Sequence, residues 1–173
     1  MSFPKEEIEA LWAPWRVEYF KLARPLGDFF TEAAQTSDDA AHLVVMRRKS
    51  AYLLMNRYPY AAGHLMAVPY RKTADLSVLT AEEKLELFAL VEDAQKLLRV
   101  TMRAEGFNVG LNLGVCAGAG VADHLHLHIV PRWTGDNNFM AVTGETRVIS
   151  EGLEPLYRKL VQARDGLQLG AVG

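Results

Sequence analysis

Three of the five histidines of the chain, His124, His126 and His128, occupy alternate positions in a short stretch. Successive side chains of an extended strand point to opposite faces, so these imidazoles share one face and the apolar residues between them share the other. Imidazole, with an unperturbed pKa of about 6.5, can act near neutrality as acid, base, nucleophile or metal ligand. The stretch 124–130 therefore predicts a strand that carries a chemically active face.

Three interpretations of this face compete. It can be the polar, exposed side of an edge strand, a role that serine, threonine or lysine would fill equally well. It can be a metal site, with His64 and Asp123 as further ligands. It can also be a nucleophilic site, where the central imidazole attacks phosphorus and a second acceptor resolves the covalent intermediate.

Two other features favour nucleophilic catalysis on a phosphate. The segment 112–120 contains three glycines and leads into the histidines, so its backbone N–H groups can form an anion-binding nest. In the segment 56–64, Asn56 ends one predicted strand and His64 opens the next, which lets both reach one cleft. Each residue alone also fits a structural role, Asn56 in a turn and His64 in the interior.

The composition indicates a soluble globular protein. At 173 residues the chain is long enough for one domain with a full core. The net charge of −2 gives no footprint for a nucleic acid polymer, and no apolar run is long enough for a membrane helix. The first residues do not resemble a secretory signal, and Cys116 is the single cysteine, so we expect a cytoplasmic protein with Cys116 as a packed thiol.

The apolar periodicity predicts an α+β domain with a mainly antiparallel, five-stranded sheet. One long helix is expected over 80–105, opened by a capping box at Thr80 and ended by Gly106, and a C-terminal helix over 151–164. The predicted strands are 43–47, 52–55, 64–68, 108–113 and 124–130. In a single domain of 1–173, residues 1–35 would wrap the body or a partner, 36–165 form the core and 166–173 a flexible tail.

The stretch 124–130 reads His-x-His-x-His followed by two apolar residues and resembles the signature of the histidine triad superfamily. Upstream, Asn56-Arg57-x-Pro59-x-x-x-Gly63-His64 is similar to the segment that holds ribose and places a fourth histidine in that family. The segments 11–16, 117–120 and 128–133 look like the bacterial branch related to diadenosine tetraphosphate phosphorylases. The resemblance implies a histidine-triad fold and a homodimer with its two sheets side by side.

The resemblance also implies nucleotidyl transfer or hydrolysis at an α-phosphate. His126 would be the nucleophile that forms a nucleotidyl-histidine intermediate, and His128 would bind phosphate and aid the leaving group. His124 and His64 would support the imidazole array. The expected nucleotide-binding residues are Asn56 for ribose, Leu54 for an apolar base pocket, and Asn112, Gly118, Ala119 and Gly120 for phosphate oxygens.

The sequence departs from the bacterial relatives at two places. Where many of them carry two cysteines and a histidine of a structural zinc site, this chain has Asp28, Thr31 and Lys72, so we expect no structural zinc, although a divalent cation can accompany the substrate. Gly120 replaces a polar residue of the hydrolase branches, which would leave room for inorganic phosphate as the second acceptor.

The resemblance therefore implies an enzyme that cleaves dinucleoside polyphosphates, with diadenosine tetraphosphate as the expected substrate and phosphorolysis as the expected reaction. Two alternatives remain open: hydrolysis of adenosine phosphoramidates, and nucleotide binding without turnover.

Overall fold

The computed structural model describes residues 29–136 and 152–170. Within them a sheet of five antiparallel strands is packed between helices, as the α+β prediction requires. The strands are β1 (Val44–Arg47), β2 (Ala51–Met55), β3 (Leu65–Pro69), β4 (Gly106–Leu111) and β5 (Leu127–Arg132). The helices are α1 (Phe29–Gln35), α2 (Ala81–Met102) and α3 (Leu153–Gly166).

The strand order of the sheet is β1-β2-β3-β5-β4, so the last strand in the chain lies between β3 and β4. Met66 of β3 and Gly110 of β4 both stand opposite His128. This pairing brings the histidine segment next to the strand that follows His64. It also leaves β4 as one edge of the sheet in the part of the chain described.

The two faces of the sheet have different covers. On one face, side chains such as Leu53, Ala67 and Ile129 pack with α2 and α3 in the larger apolar core. On the other face, the alternate residues of β2 and β3 form a second apolar cluster with Phe30 and Ala33 of α1. The period-two alternation of the strands thus separates a structural core from the face that carries His128.

The helix α2 begins as the sequence predicts, because Thr80 and Glu83 form the expected capping box. It ends at Met102 rather than at Gly106, which instead opens β4. Arg103 takes the left-handed conformation, with φ of 54°, and serves as the C-cap in place of the expected glycine. The indole N–H of Trp133 donates to the carbonyl of Met102 and satisfies one of the final carbonyl groups.

The predicted strand over 124–130 is corrected by the structure: β5 begins at Leu127, so His128 alone of the three histidines lies in it. The hydrogen-bonded ladder stops there because β4 ends at Leu111, the residue opposite Leu127. The segment before Leu127 is held by other bonds, including one from the Leu125 N–H to the carbonyl of Thr73 at 2.8 Å.

The ends of the chain are described in part. Residues 1–28, which include the tryptophan-rich part of the predicted wrapping segment, lie outside the described residues, and residues 29–35 form α1. The helix α3 continues through Gly166, where the predicted tail begins, and Leu169 packs against the core. No helix in residues 29–136 and 152–170 is long and apolar enough to cross a membrane.

Candidate functional site

His124 and His126 are positioned by backbone carbonyl groups. His124 is 1 % exposed, and its Nε2 lies 2.8 Å from the carbonyl oxygen of Pro69 at the end of β3. Nδ1 of His126 lies 2.9 Å from the carbonyl oxygen of His124. A carbonyl can only accept a hydrogen bond, so His124 donates from Nε2 and His126 donates from Nδ1.

This tautomer leaves the Nε2 lone pair of His126 available for attack. The ring is 6 % exposed. Burial lowers the pKa of His126 below its usual 6.5, and the nearby His124 acts in the same direction, whereas the bond to the His124 carbonyl opposes them. A neutral imidazole with a free Nε2 at pH 7 is the state that a nucleophile requires.

His64 and His128 form a second pair. Nε2 of His64 lies 2.9 Å from Nδ1 of His128. The backbone N–H of Tyr60 donates to Nδ1 of His64 at 3.1 Å, so a neutral His64 carries its proton on Nε2 and donates it to His128. A neutral His128 then carries its own proton on Nε2, the opposite tautomer to that of His126.

Two asparagines flank this pair. Nδ2 of Asn56 lies 3.3 Å from Nδ1 of His64, and Oδ1 of Asn56 accepts the N–H of Tyr58 at 2.8 Å, which fixes the orientation of the amide. The amide of Asn112 lies 3.3 Å from Nε2 of His128, and rotating this amide by half a turn would present its oxygen as an acceptor. The structure thus brings both asparagines to the histidines.

The glycine-rich loop lies directly after Asn112. It forms a short 3-10 turn at Val115–Ala117, with Gly118 at φ of 85°. The N–H of Gly118 donates to the Val115 carbonyl at 2.9 Å, and that of Ala119 contacts the Gly114 carbonyl at 3.4 Å, so these two N–H groups already have partners within the loop. Contrary to expectation, Cys116 is exposed there.

The other predicted loop and pocket residues differ in exposure. Ala119 is buried, and Gly120 is exposed. Leu54 lies on β2, on the α1 face of the sheet, and is fully buried in the cluster that contains Phe30. A base pocket that used Leu54 would therefore have to open this cluster.

Two aromatic residues that the sequence did not single out contact the imidazoles. The ring of Phe30 lies 5.0 Å from that of His126, and the ring of Tyr60 lies 4.6 Å from that of His64. Tyr60 falls inside the 56–64 motif, so its proximity to His64 could have been inferred from the sequence. Phe30 gave no such signal, because it lies far from the histidines in the chain.

The residues that replace zinc ligands are poorly suited to a metal. The ammonium group of Lys72 forms an ion pair with Asp123 at 2.9 Å, and a protonated lysine offers no lone pair. Among the residues that the structure describes, no group of three His, Cys, Asp or Glu side chains is arranged to hold a metal ion. Asp28 lies outside the described residues, and the absence of structural zinc stays a prediction.

Comparisons with known proteins show what the sequence is similar to. Residues 37–135 match the model of the HIT domain family. The chain is 42 % identical over 165 residues to the AP-4-A phosphorylase of Mycobacterium tuberculosis, a match that covers 90 % of this chain and 84 % of that protein. It is also 34 % identical over 93 residues to an asymmetrical bis(5'-nucleosyl)-tetraphosphatase of Schizosaccharomyces pombe, covering 54 % and 50 % of the two chains.

The fold also matches solved structures. A zinc-bound histidine triad family protein of Mycobacterium smegmatis superposes with a TM-score of 0.65 and 24 % identity, over 80 % of this chain and 94 % of that chain. A histidine triad nucleotide-binding protein of Sulfolobus tokodaii gives a TM-score of 0.60 and 23 % identity, over 73 % and 85 %. At these identities the likeness concerns the fold.

Proposed function

The chain belongs to the HIT domain family, and from this premise we propose that it cleaves dinucleoside polyphosphates, with diadenosine tetraphosphate as the substrate and inorganic phosphate as the acceptor. The observation that carries the proposal is the hydrogen-bond arrangement of His126 and His128: Nδ1 of His126 faces the His124 carbonyl oxygen, whereas Nδ1 of His128 faces Nε2 of His64, and these contacts favour opposite tautomers. One imidazole presents a lone pair at Nε2 and the other presents a proton at the same ring position.

The proposed reaction has two displacements at one phosphorus. Nε2 of His126 attacks the α-phosphorus, the bond to the bridging oxygen breaks, and ATP leaves while an adenylyl group remains on His126. An oxygen of inorganic phosphate then attacks the same phosphorus, the P–N bond breaks, and ADP is released. The Nε2–H of His128 donates a hydrogen bond to the phosphoryl oxygens on which negative charge develops, and such a donor contributes on the order of 100-fold or more to the rate.

Two observations support phosphate as the acceptor. Gly120 has no side chain and is exposed at the end of the loop that precedes His124. A relative that is 42 % identical to this chain, and of which the match covers 84 %, is named a phosphorylase. Water would give the same first displacement, so the choice of acceptor concerns the second step alone.

The test is the product pattern from diadenosine tetraphosphate in the presence of isotopically labelled inorganic phosphate. We expect ADP and ATP, with the label in the β-phosphate of ADP and none in ATP. AMP and ATP without label would replace phosphorolysis by hydrolysis. His126→Ala should abolish turnover and, under acid-free quenching, should lose the adenylyl adduct that mass spectrometry detects on the wild type.

Two results would overturn the substrate assignment. Release of AMP from adenosine phosphoramidates, with diadenosine tetraphosphate untouched, would make the protein a phosphoramidate hydrolase. Tight nucleotide binding by wild type and His126→Ala alike, with no turnover of either substrate, would make it a binding protein.

We also propose that the protein is a homodimer with its sheets side by side. The edge strand β4 supports this arrangement, because Asn108, Val109 and Gly110 are exposed along it, and an unpaired edge is a template for strand addition. Light scattering should give twice the mass of one chain, and Val109→Pro should reduce it to the mass of one chain. A wild type of monomer mass contradicts the proposal.

Two further proposals concern metal content and location. The ion pair of Lys72 with Asp123 supports a protein without structural zinc, and elemental analysis of the purified protein should find less than one zinc per chain. A divalent cation would then act only as a companion of the polyphosphate, so chelation should affect activity without affecting folding.

We place the protein in the cytoplasm, in keeping with the exposed thiol of Cys116, and cell fractionation tests this location.

A further inference from the structure

Phe30 is the side chain through which α1 meets the histidines. Its ring is 2 % exposed. It lies 5.0 Å from the ring of His126 at an interplanar angle of 43° and 5.4 Å from the ring of His124 in an edge-on arrangement. One aromatic side chain therefore packs against two of the three imidazoles in the row.

The helix that carries Phe30 is anchored by strand residues. The hydroxyl of Tyr52 on β2 donates to the carbonyl of Phe30 at 2.6 Å. Nη2 of Arg47 on β1 donates to the carbonyl oxygens of Ala33 at 2.7 Å and Thr36 at 3.1 Å. A helix of seven residues has little stability of its own. Its position, and with it the position of the Phe30 ring, is therefore set by these bonds to the sheet.

The His126 ring is held by a hydrogen bond and by ring contacts. The bond from Nδ1 to the His124 carbonyl holds one edge of the imidazole, and the ring of Phe30 packs against it at a centroid distance of 5.0 Å. The ring of His128 lies 4.8 Å away, edge-on, and His128 in turn bonds to His64. From α1 the contact is the uncharged ring of Phe30. Among residues 29–136 and 152–170, the titratable groups in contact with His126 are His124 and His128, both on its own segment.

We propose that Phe30 is a positioning residue for this reaction: its ring fixes the plane of the His126 imidazole and excludes water from it, so that Nε2 remains directed at the phosphorus. This inference rests on the proposed function, because it presumes attack by His126. The lowered pKa of His126, which arises mainly from burial, agrees with a ring that keeps water away.

The first test is the titration of His126 in the free protein, which needs no turnover. The imidazole signals of wild type, Phe30→Ala and Leu156→Ala are followed by NMR as a function of pH. Leu156 is a buried residue of α3 in the other apolar core and serves as the control for general destabilisation. We expect the pKa of His126 to rise towards 6.5 in Phe30→Ala and to stay unchanged in Leu156→Ala. An unchanged value in Phe30→Ala overturns the proposal.

The second test separates positioning from substrate binding and uses Phe30→Leu, which keeps most of the space filled with apolar atoms and therefore destabilises the fold less than alanine does. We expect kcat to fall by about 10- to 100-fold with KM little changed, as for a small misplacement of a reacting group. A raised KM with kcat equal to that of wild type would make Phe30 a nucleotide contact and overturn the proposal. If the wild type itself shows no turnover, the proposed function fails. The NMR titration still tests whether the Phe30 ring shields His126 from water.

Discussion

Gly63, directly before His64, is a position where a single added methyl group should be damaging. Its φ is +80°, in the left-handed region that favours glycine. A Cβ atom there would stand 2.5 Å from Sδ of Met102, 2.9 Å from Cδ2 of Leu98 and 3.2 Å from Cγ of Pro131. The predicted perturbation is Gly63→Ala, with Gly135→Ala as its control.

The expected cost combines two effects. A left-handed backbone costs a residue with Cβ about 1–2 kcal/mol, and forcing a methyl group into a packed core costs about 1–3 kcal/mol. Met102 can move its flexible end, but Leu98 is fully buried and Pro131 is fixed within β5, so the second effect persists. Alanine also restricts the unfolded chain more than glycine does, which stabilises the folded state by about 0.4–1 kcal/mol. We therefore expect Gly63→Ala to lower the free energy of unfolding by about 1–5 kcal/mol, centred near 3 kcal/mol.

The control isolates the steric part. Gly135 has a φ of +78°, but a Cβ there would meet nothing within 4 Å. Gly135→Ala should therefore cost only about 1 kcal/mol. Urea unfolding followed by tryptophan fluorescence measures both values. Equal losses at the two glycines would refute the reasoning, because the predicted clash would then contribute nothing. Gly63→Ala should also lower turnover by displacing His64, whereas Gly135→Ala should leave turnover unchanged.

Three further predictions concern other parts of the molecule. Since the pKa of His126 is lowered, kcat/KM should rise with pH through a value below 6.5 and level off near pH 7. Stability should fall as pH drops below 6.5, because the unfolded chain then binds the proton more readily than the folded chain. An acid limb at or above 6.5 in the pH profile of kcat/KM contradicts this prediction. Asp93→Ala should lower the free energy of unfolding in urea by about 3 kcal/mol, because it leaves the partly buried Arg48 without its carboxylate partner. Lys96→Ala, which removes the exposed partner of the same carboxylate, should lower it by at most about 0.5 kcal/mol. Similar losses of stability in the two variants would count against the role of burial. Thr80→Ala removes the capping box of α2 and should lower the stability in thermal unfolding by about 1 kcal/mol, so that a variant as stable as wild type speaks against this role of the cap.

Much of the fold was predictable because each element has a clear apolar period. The long helix, the C-terminal helix and the five strands lie within a few residues of their predicted positions. The strand order was not predictable, since the position of β5 between β3 and β4 depends on pairing between segments that are distant in the chain. The end of α2 was missed because Arg103, rather than a glycine, takes the left-handed position.

The candidate site divides in a similar way. His64, Asn56 and Asn112 could be predicted as neighbours of the histidine row because they fall in recognisable motifs or directly before the loop. Phe30 could not, because its contact with His126 depends on where a short helix is anchored on the sheet. The anion-binding nest expected in 112–120 stays a prediction, and glycine content could not reveal that the N–H groups of Gly118 and Ala119 have partners within the loop.

The period of the histidine row determines less than its regularity suggests. Strand alternation predicts all three imidazoles on one face of the sheet, but His128 alone of the three lies inside β5. Which nitrogen of each ring carries the proton is decided by the hydrogen-bond partner of that ring. Pro69 accepts from Nε2 of His124, and the His124 carbonyl accepts from Nδ1 of His126. His64, itself oriented by a backbone N–H, donates to Nδ1 of His128. Three equally spaced and chemically identical side chains thereby acquire different proton positions, because β5 begins only at Leu127 and the carbonyl group of His124, which precedes it, bonds to an imidazole instead of to a strand ladder.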